Sequence, residues 1–171
     1  LVQAEALNRA AERAPDRLRV IRTRGDLQAL LADRAAGQRV LGALLGSEGG
    51  HPLEGDLANL QVLHGAGFRL MGLTHFFDNE LGGSLHGEGG SGAGLSDFGR
   101  EVVDRMMQLG MVIDVTHAAP QMVEDVLAIP GTRPVLSHTG ITRHCPSPRN
   151  LPDDLVARIA DAGGLIGIGY W

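Results

Sequence analysis

Four side chains that can bind a metal or move a proton each follow a short apolar run: Glu48, His75, His117 and His138. Residues 111–115 have the length and composition of a buried strand and end on Thr116-His117, and residues 134–136 end on Ser137-His138. Residues 39–45 run into Gly46-Ser47-Glu48, and residues 68–73 end on Thr74-His75. Imidazole nitrogen and carboxylate oxygen are the donors that suit borderline cations such as Zn²⁺, and a catalytic site keeps one position open for water. A single histidine after a strand is more often a capping or hydrogen-bonding residue. Four such groups gain meaning only if they share one edge of one sheet.

Two further residues belong to this reading. Asp114 lies inside its strand, not at the tip; in a barrel it would either point inward among the site groups or orient a ligand histidine through hydrogen bonds, and the second role is favoured. Arg149, in a proline-flanked stretch after residues 134–138, has the planar fork that grips both oxygens of a carboxylate. A surface arginine capping the next helix is the plainer alternative. The remaining histidines are weaker candidates. His51 follows the Glu48 turn, His64 falls on a helical pattern, His86 lies in a glycine loop where it touches substrate or nothing, and His144 precedes Cys145 without a visible third group to orient a nucleophile pair.

The elements that must position these groups alternate. Residues 2–13 form a short helical pattern, and a second starts with Asp26 as N-cap, places Leu27, Leu30 and Leu31 inward and stops near Gly37. Leu53, Leu57, Leu60 and Leu63 mark the next helix, with Gly65 and Gly67 closing it. Residues 82–94 contain seven glycines and read as a loop, without the spacing or lysine of a phosphate cradle. Ser96 is an N-cap for a stripe of Phe98, Val102, Met106 and Leu109, with Gly110 as the stop. Pro120 opens a helix between the two histidine-bearing strands. Residues 152–162 form the last helix, before a strand at 165–168.

This gives five strands, each preceded by a helix: 39–45, 68–73, 111–115, 134–136 and 165–168. A β-α-β alternation with apolar strands implies an α/β parallel sheet covered by helices, with the strand tips on one edge. It fits either an open doubly wound sheet or the middle of a (β/α)8 barrel, which takes about 250 residues when complete.

Composition narrows the function. The 171 residues suit a single domain, with 43% hydrophobic and 20% charged residues. A net charge of −5 and 4% aromatics argue against a nucleic-acid surface, and no apolar stretch has membrane-spanning length. All 15 basic residues are arginine, so no Schiff-base lysine or carbamylated-lysine metal bridge can form within these residues. The single Cys145 excludes an internal disulfide and a multi-cysteine zinc site.

Several motifs then occur in order: Glu48-Gly49-Gly50-His51, Leu73-Thr74-His75, Gly94-Leu95-Ser96-Asp97-Phe98-Gly99, Ile113-Asp114-Val115-Thr116-His117, Ser137-His138 and Arg149-Asn150-Leu151-Pro152-Asp153-Asp154. Together they resemble the membrane (renal) dipeptidase family of zinc peptidases, and its bacterial branch in particular through Thr74-His75-Phe76-Phe77-Asp78-Asn79-Glu80-Leu81-Gly82. The likeness runs from about Val40 to Trp171. It implies a (β/α)8 TIM barrel with two zinc ions at the C-terminal mouth and hydrolysis of dipeptides by a metal-activated water.

By motif, Glu48 would bridge the metals, His117 and His138 would complete the coordination of one, His75 would contact substrate or the tetrahedral intermediate, and Arg149 would hold the dipeptide's terminal carboxylate. The family's His-x-Asp pair and its late acidic residue have no counterpart in this sequence. The expectation is therefore one domain, the central part of a barrel truncated at both ends, with one three-ligand half-site and about five of eight strands. The resemblance also implies a homodimer and an exported or periplasmic setting. Two alternatives stand beside it: a non-catalytic metal-binding segment, and an amidohydrolase-type enzyme acting on another small amide or lactone.

Overall fold

The strand tips can cooperate only if the strands lie side by side with one direction, and the computed structural model, which describes residues 1–86 and 92–169, has them so. In chain order the elements are α1 (Val2–Arg13), β1 (Leu18–Val20), α2 (Arg24–Ala35), β2 (Leu41–Ala43), β3 (Leu45–Ser47), α3 (Ala58–Gly65), β4 (Phe68–Gly72), α4 (Asp97–Leu109), β5 (Val112–Asp114), α5 (Pro120–Ala128), β6 (Val135–Thr139), α6 (Asp153–Asp161) and β7 (Leu165–Ile168). A single 3-10 turn, His51–Leu53, precedes α3.

Strands β3 to β7 form one five-stranded parallel sheet in the order β3-β4-β5-β6-β7. Neighbours in space are neighbours in sequence throughout. A doubly wound sheet reverses its strand order at a switch point. This sheet has none, which leaves the barrel-type winding of the two expected architectures.

The expected strand at 39–45 divides at Leu44. Leu41–Ala43 pairs in parallel with Leu18–Val20, and Leu45–Ser47 pairs with Phe68–Gly72. The chain thus passes from one sheet to the next within a single extended stretch. Strand β1 was not expected, because its middle residue is Arg19, whose guanidinium is tied to Asp33 at 2.6 Å. Three residues centred on a charge carry no apolar run to read.

Helix α2 starts one turn earlier than expected. Thr23 is the N-cap, accepting from Asp26 N, while the Asp26 carboxylate accepts from Thr23 N at 2.8 Å. Asp26 is therefore the reciprocal partner of a capping box rather than the cap itself. Of the three leucines expected inward on α2, Leu30 alone is buried, packed with Ile21 and Val40. Leu27 and Leu31 are exposed.

The caps of α4 are as expected: Ser96 Oγ accepts from Gly99 N at 2.9 Å, and Gly110 takes a left-handed conformation with φ 66°. Val102, Val103 and Met106 of this helix are fully buried with Met71, Val115, Met122, Val123 and Val126. Each such side chain contributes roughly 1.5–3 kcal/mol by leaving water. Together with Leu60 and Leu63 of α3, Leu136 of β6 and Leu155 and Ile159 of α6, these side chains form the main core, which fixes the positions of the strand tips above it.

Candidate metal centre

Each functional side chain is placed by the C-terminal end of a different strand. Glu48 directly follows β3. The chain then turns sharply, with Gly49 at φ 95° and Gly50 N donating to Leu73 O at 3.1 Å. Gly72 makes this turn possible, since a Cβ there would lie 2.8 Å from Gly49 N. His75 follows β4 after Leu73 and the buried Thr74. His117 follows β5, and β6 continues to Thr139, so His138 sits within the end of that strand rather than after it.

His117 is the centre of the cluster and is buried. Its backbone is left-handed, with φ 67°, a conformation that costs a non-glycine residue energy. Its carbonyl holds that geometry by accepting from Leu85 N at 2.7 Å and Thr74 Oγ1 at 3.2 Å. Its Nε2 lies 3.0 Å from Glu48 Oε1 and 3.1 Å from His138 Nε2. The same Glu48 oxygen is 3.1 Å from His138 Nε2 and 3.6 Å from His75 Nε2. Ligand atoms of Glu48, His75 and His117 all lie within 4.8 Å of one another. The four expected groups are therefore brought together on one rim.

Burial pushes the His117 imidazole down to about 4, aided by the nearby positive charge of Arg149 and opposed by its bond to Glu48. Near neutral pH the ring is thus uncharged, the state in which an imidazole can ligate a metal. His86 is pushed down in the same sense, first by burial and then by Arg149 and His75. Arg149 is pushed down by burial, with Glu48 and Asp114 opposing. Arg149 Nη2 donates to the His138 carbonyl at 2.9 Å, and its side chain lines an open cleft together with Glu48, His75, Phe76, His86, His117 and His138.

Among the described residues, Asp114 makes no hydrogen bond to an imidazole. Its Oδ1 accepts from Thr116 N at 2.9 Å, Thr116 Oγ1 at 2.6 Å and Ser137 N at 3.2 Å. Ser137 Oγ in turn lies 2.9 Å from His138 Nδ1. The carboxylate reaches the ring through the two hydroxyl residues.

The expected family is matched by a family model, and the match begins before the likeness expected from Val40. The model describes the membrane dipeptidases, peptidase family M19, and it covers residues 1–170. The chain belongs to this family.

Solved structures agree on the fold. An amidohydrolase from Pseudomonas aeruginosa is 26% identical with a TM-score of 0.82, over 96% of this chain and 48% of that protein. A metallopeptidase from Rhodobacter sphaeroides, solved with a phosphinate mimic of the dipeptide L-Ala-D-Ala, is 25% identical with a TM-score of 0.83, over 96% of this chain and 47% of that one. The probable dipeptidase PvdM from Pseudomonas aeruginosa, 24% identical, superposes with a TM-score of 0.85 over 98% of this chain and 42% of its own length. This membrane dipeptidase family chain therefore spans less than half the length of the solved relatives it matches. Their barrel-like fold and its parallel five-stranded sheet agree in architecture.

Other candidates separate from the rim. His51 is exposed on the 3-10 turn, and His64 lies on α3, lowered by burial. Cys145 is an exposed free thiol, and His144 lines a different groove with Arg143, Asp153 and Val156. Part of the glycine loop, residues 87–91, lies outside the described residues, as does Trp171 at the end of the likeness.

Two more residues stand at the cleft: His86, expected only as a weaker candidate touching substrate or nothing, and Phe76, which had no expected role. His86 Nε2 lies 3.1 Å from His117 Nδ1, and the Phe76 ring is 4.0 Å from that of His75 and 5.4 Å from that of His86. Phe76 was legible only as a neighbour of His75. His86 had no strand to place it.

Among the described residues, no helix is long and apolar enough to cross a membrane.

Proposed function

We propose that this chain supplies half of a zinc site in a dipeptidase that hydrolyses small dipeptides, with Glu48, His117 and His138 as ligands. The observation that carries the reading is the convergence of one carboxylate oxygen and two imidazole nitrogens within 3.1 Å of one another, on three strand tips of a single parallel sheet. Those donors fit zinc, and the burial that keeps His117 neutral leaves its lone pair available. When bound, the metal supplies a Lewis acid and lowers the pKa of water.

The chain's own groups do the rest. His75, part-exposed and 3.6 Å from Glu48, stands beside the ligand cluster where a hydrogen bond to the substrate's carbonyl oxygen can form. Arg149 lines the same cleft as Glu48 and would hold the terminal carboxylate of the dipeptide. Asp114, through Thr116 and Ser137, holds the His138 ring in its orientation. Phe76 gives the cleft an apolar wall.

The sheet itself is proposed to be part of a larger (β/α)8 barrel. Leu165 and Ile168 are large apolar side chains exposed on β7, an edge strand of the five-stranded sheet. A closed barrel would cover such positions. The carboxylate on Glu48 would then be shared with a second metal held by residues of the full-length protein.

The test is hydrolysis of L-Ala-D-Ala by the full-length protein, stripped of metal and then reconstituted with zinc. Activity that is lost with a chelator and restored by zinc is expected. Zinc binding without dipeptide hydrolysis would favour the non-catalytic alternative. Hydrolysis of a lactone or cyclic amide in its place would favour the amidohydrolase alternative.

A further inference from the structure

A metal-binding histidine has two ring nitrogens, and the one that does not face the metal needs a fixed partner. Otherwise the ring is free to rotate and to exchange tautomers. For His138 the partner of Nδ1 is Ser137 Oγ, at 2.9 Å. For His117 it is not a carboxylate or a carbonyl. It is another imidazole: His86 Nε2 at 3.1 Å from His117 Nδ1.

The approach of His86 is built by the backbone. Residues 83–85 run antiparallel to the segment after β5, with Ala119 N donating to Gly83 O at 2.9 Å and Leu85 N donating to His117 O at 2.7 Å. Ser84 bridges to Ala118 and is buried. Its hydroxyl donates to the His75 carbonyl and accepts from His86 N at 3.2 Å. Ser84 N donates to Asp78 Oδ1 at 2.7 Å. His86 is thus tied at one end to the His75 strand tip and at the other to the His117 ring. Phe76 packs against both imidazoles, with centroids 5.4 Å from His86 and 5.8 Å from His117.

We propose that His86 is a positioning residue that fixes the ring orientation and tautomer of His117 for metal binding. The inference rests on the reading of His117 as a ligand through Nε2. With Nε2 directed at Glu48 and His138, the His117 proton belongs on Nδ1, which donates to His86 Nε2. His86 then carries its own proton on Nδ1. A neutral acceptor at that place orients the ligand without adding a negative charge to a cluster that already contains Glu48.

The experiment uses the full-length protein as wild type, His86→Ala, His86→Gln and His117→Ala. Zinc affinity is measured by competition with a chromophoric chelator, the cobalt(II)-substituted forms are compared by visible absorption, and each metal-free protein is melted. His86→Ala is expected to weaken zinc about 10–100-fold, the usual cost of losing such a partner. It should alter the cobalt spectrum and leave the metal-free melting midpoint unchanged. His86→Gln, whose side-chain carbonyl can still accept from Nδ1–H, should recover most of the affinity.

Zinc binding by His86→Ala within twofold of wild type, with an unchanged cobalt spectrum, would overturn the inference while His117→Ala still loses the metal. A fall in the metal-free midpoint that His86→Gln does not rescue would overturn it in favour of plain structural support. Retention of zinc by His117→Ala would instead remove the ligand reading beneath it, and the inference with it.

Discussion

His117 Nε2 and His138 Nε2 face each other at 3.1 Å from adjacent parallel strands, with Glu48 Oε1 in reach of both. Only one hydrogen can sit between two ring nitrogens at that separation. The carboxylate beside them adds negative charge and no donor of its own when ionised. A shared cation would satisfy all three atoms together, and this relationship is the source of the first prediction.

In the full-length protein Glu48→Gln should lose metal and activity together, because an amide keeps the volume and removes the charge. Equilibrium dialysis against zinc, followed by metal analysis of the protein, measures it. Unchanged stoichiometry would end the ligand role of Glu48.

Arg149→Ala should act on substrate more than on chemistry. A KM raised by roughly 10–100-fold, against a smaller change in kcat, corresponds to the loss of one charge-assisted pair of about 1.5–3 kcal/mol. A dipeptide whose C-terminus is an amide provides the control, since it lacks the carboxylate that Arg149 would grip. Equal losses for acid and amide substrates would show that Arg149 supports the loop through the His138 carbonyl instead.

Asp114 accepts three hydrogen bonds while buried. Asp114→Ala strands those donors, and a loss of about 2–3 kcal/mol of folding stability is expected by urea titration. Zinc affinity should fall as well, since Ser137 no longer has a fixed position from which to orient His138. A stability loss with wild-type zinc affinity would confine Asp114 to the fold.

His117 should make the metal-free protein acid-sensitive. Its folded-state pKa is lowered from 6.5 to about 4, so between those values the unfolded chain binds the proton more readily than the folded one. Stability from this group is fully present above about 6.5 and falls as the pH drops towards about 4. Thermal melts of the metal-free protein across this window should show that slope, and His117→Gln should flatten it. A slope unchanged in His117→Gln would assign the acid sensitivity elsewhere.

Much of the site was legible before any coordinates because strand length and strand endings are local properties. An apolar run of four or five residues can be recognised by itself, and the polar residue that ends it leaves the sheet at a predictable edge. That places Glu48, His75, His117 and His138 on one rim without knowledge of a single distance. The caps of α4 were legible for the same reason, since Ser96 and Gly110 act within one turn of their own positions.

What the tertiary structure decided were the relations that no local pattern encodes. The split of residues 39–45 between two sheets depends on which strand lies alongside, and β1 exists because Leu18–Val20 pairs with Leu41–Ala43 although its middle residue is Arg19. The left-handed turn at His117 is maintained by donors from Thr74 and Leu85, far away in the chain. His86 belongs to a glycine-rich stretch with no period, and it joins the site because residues 83–85 pair with the segment after β5. Residue type and spacing determined which groups face the rim; long-range pairing determined which of them touch.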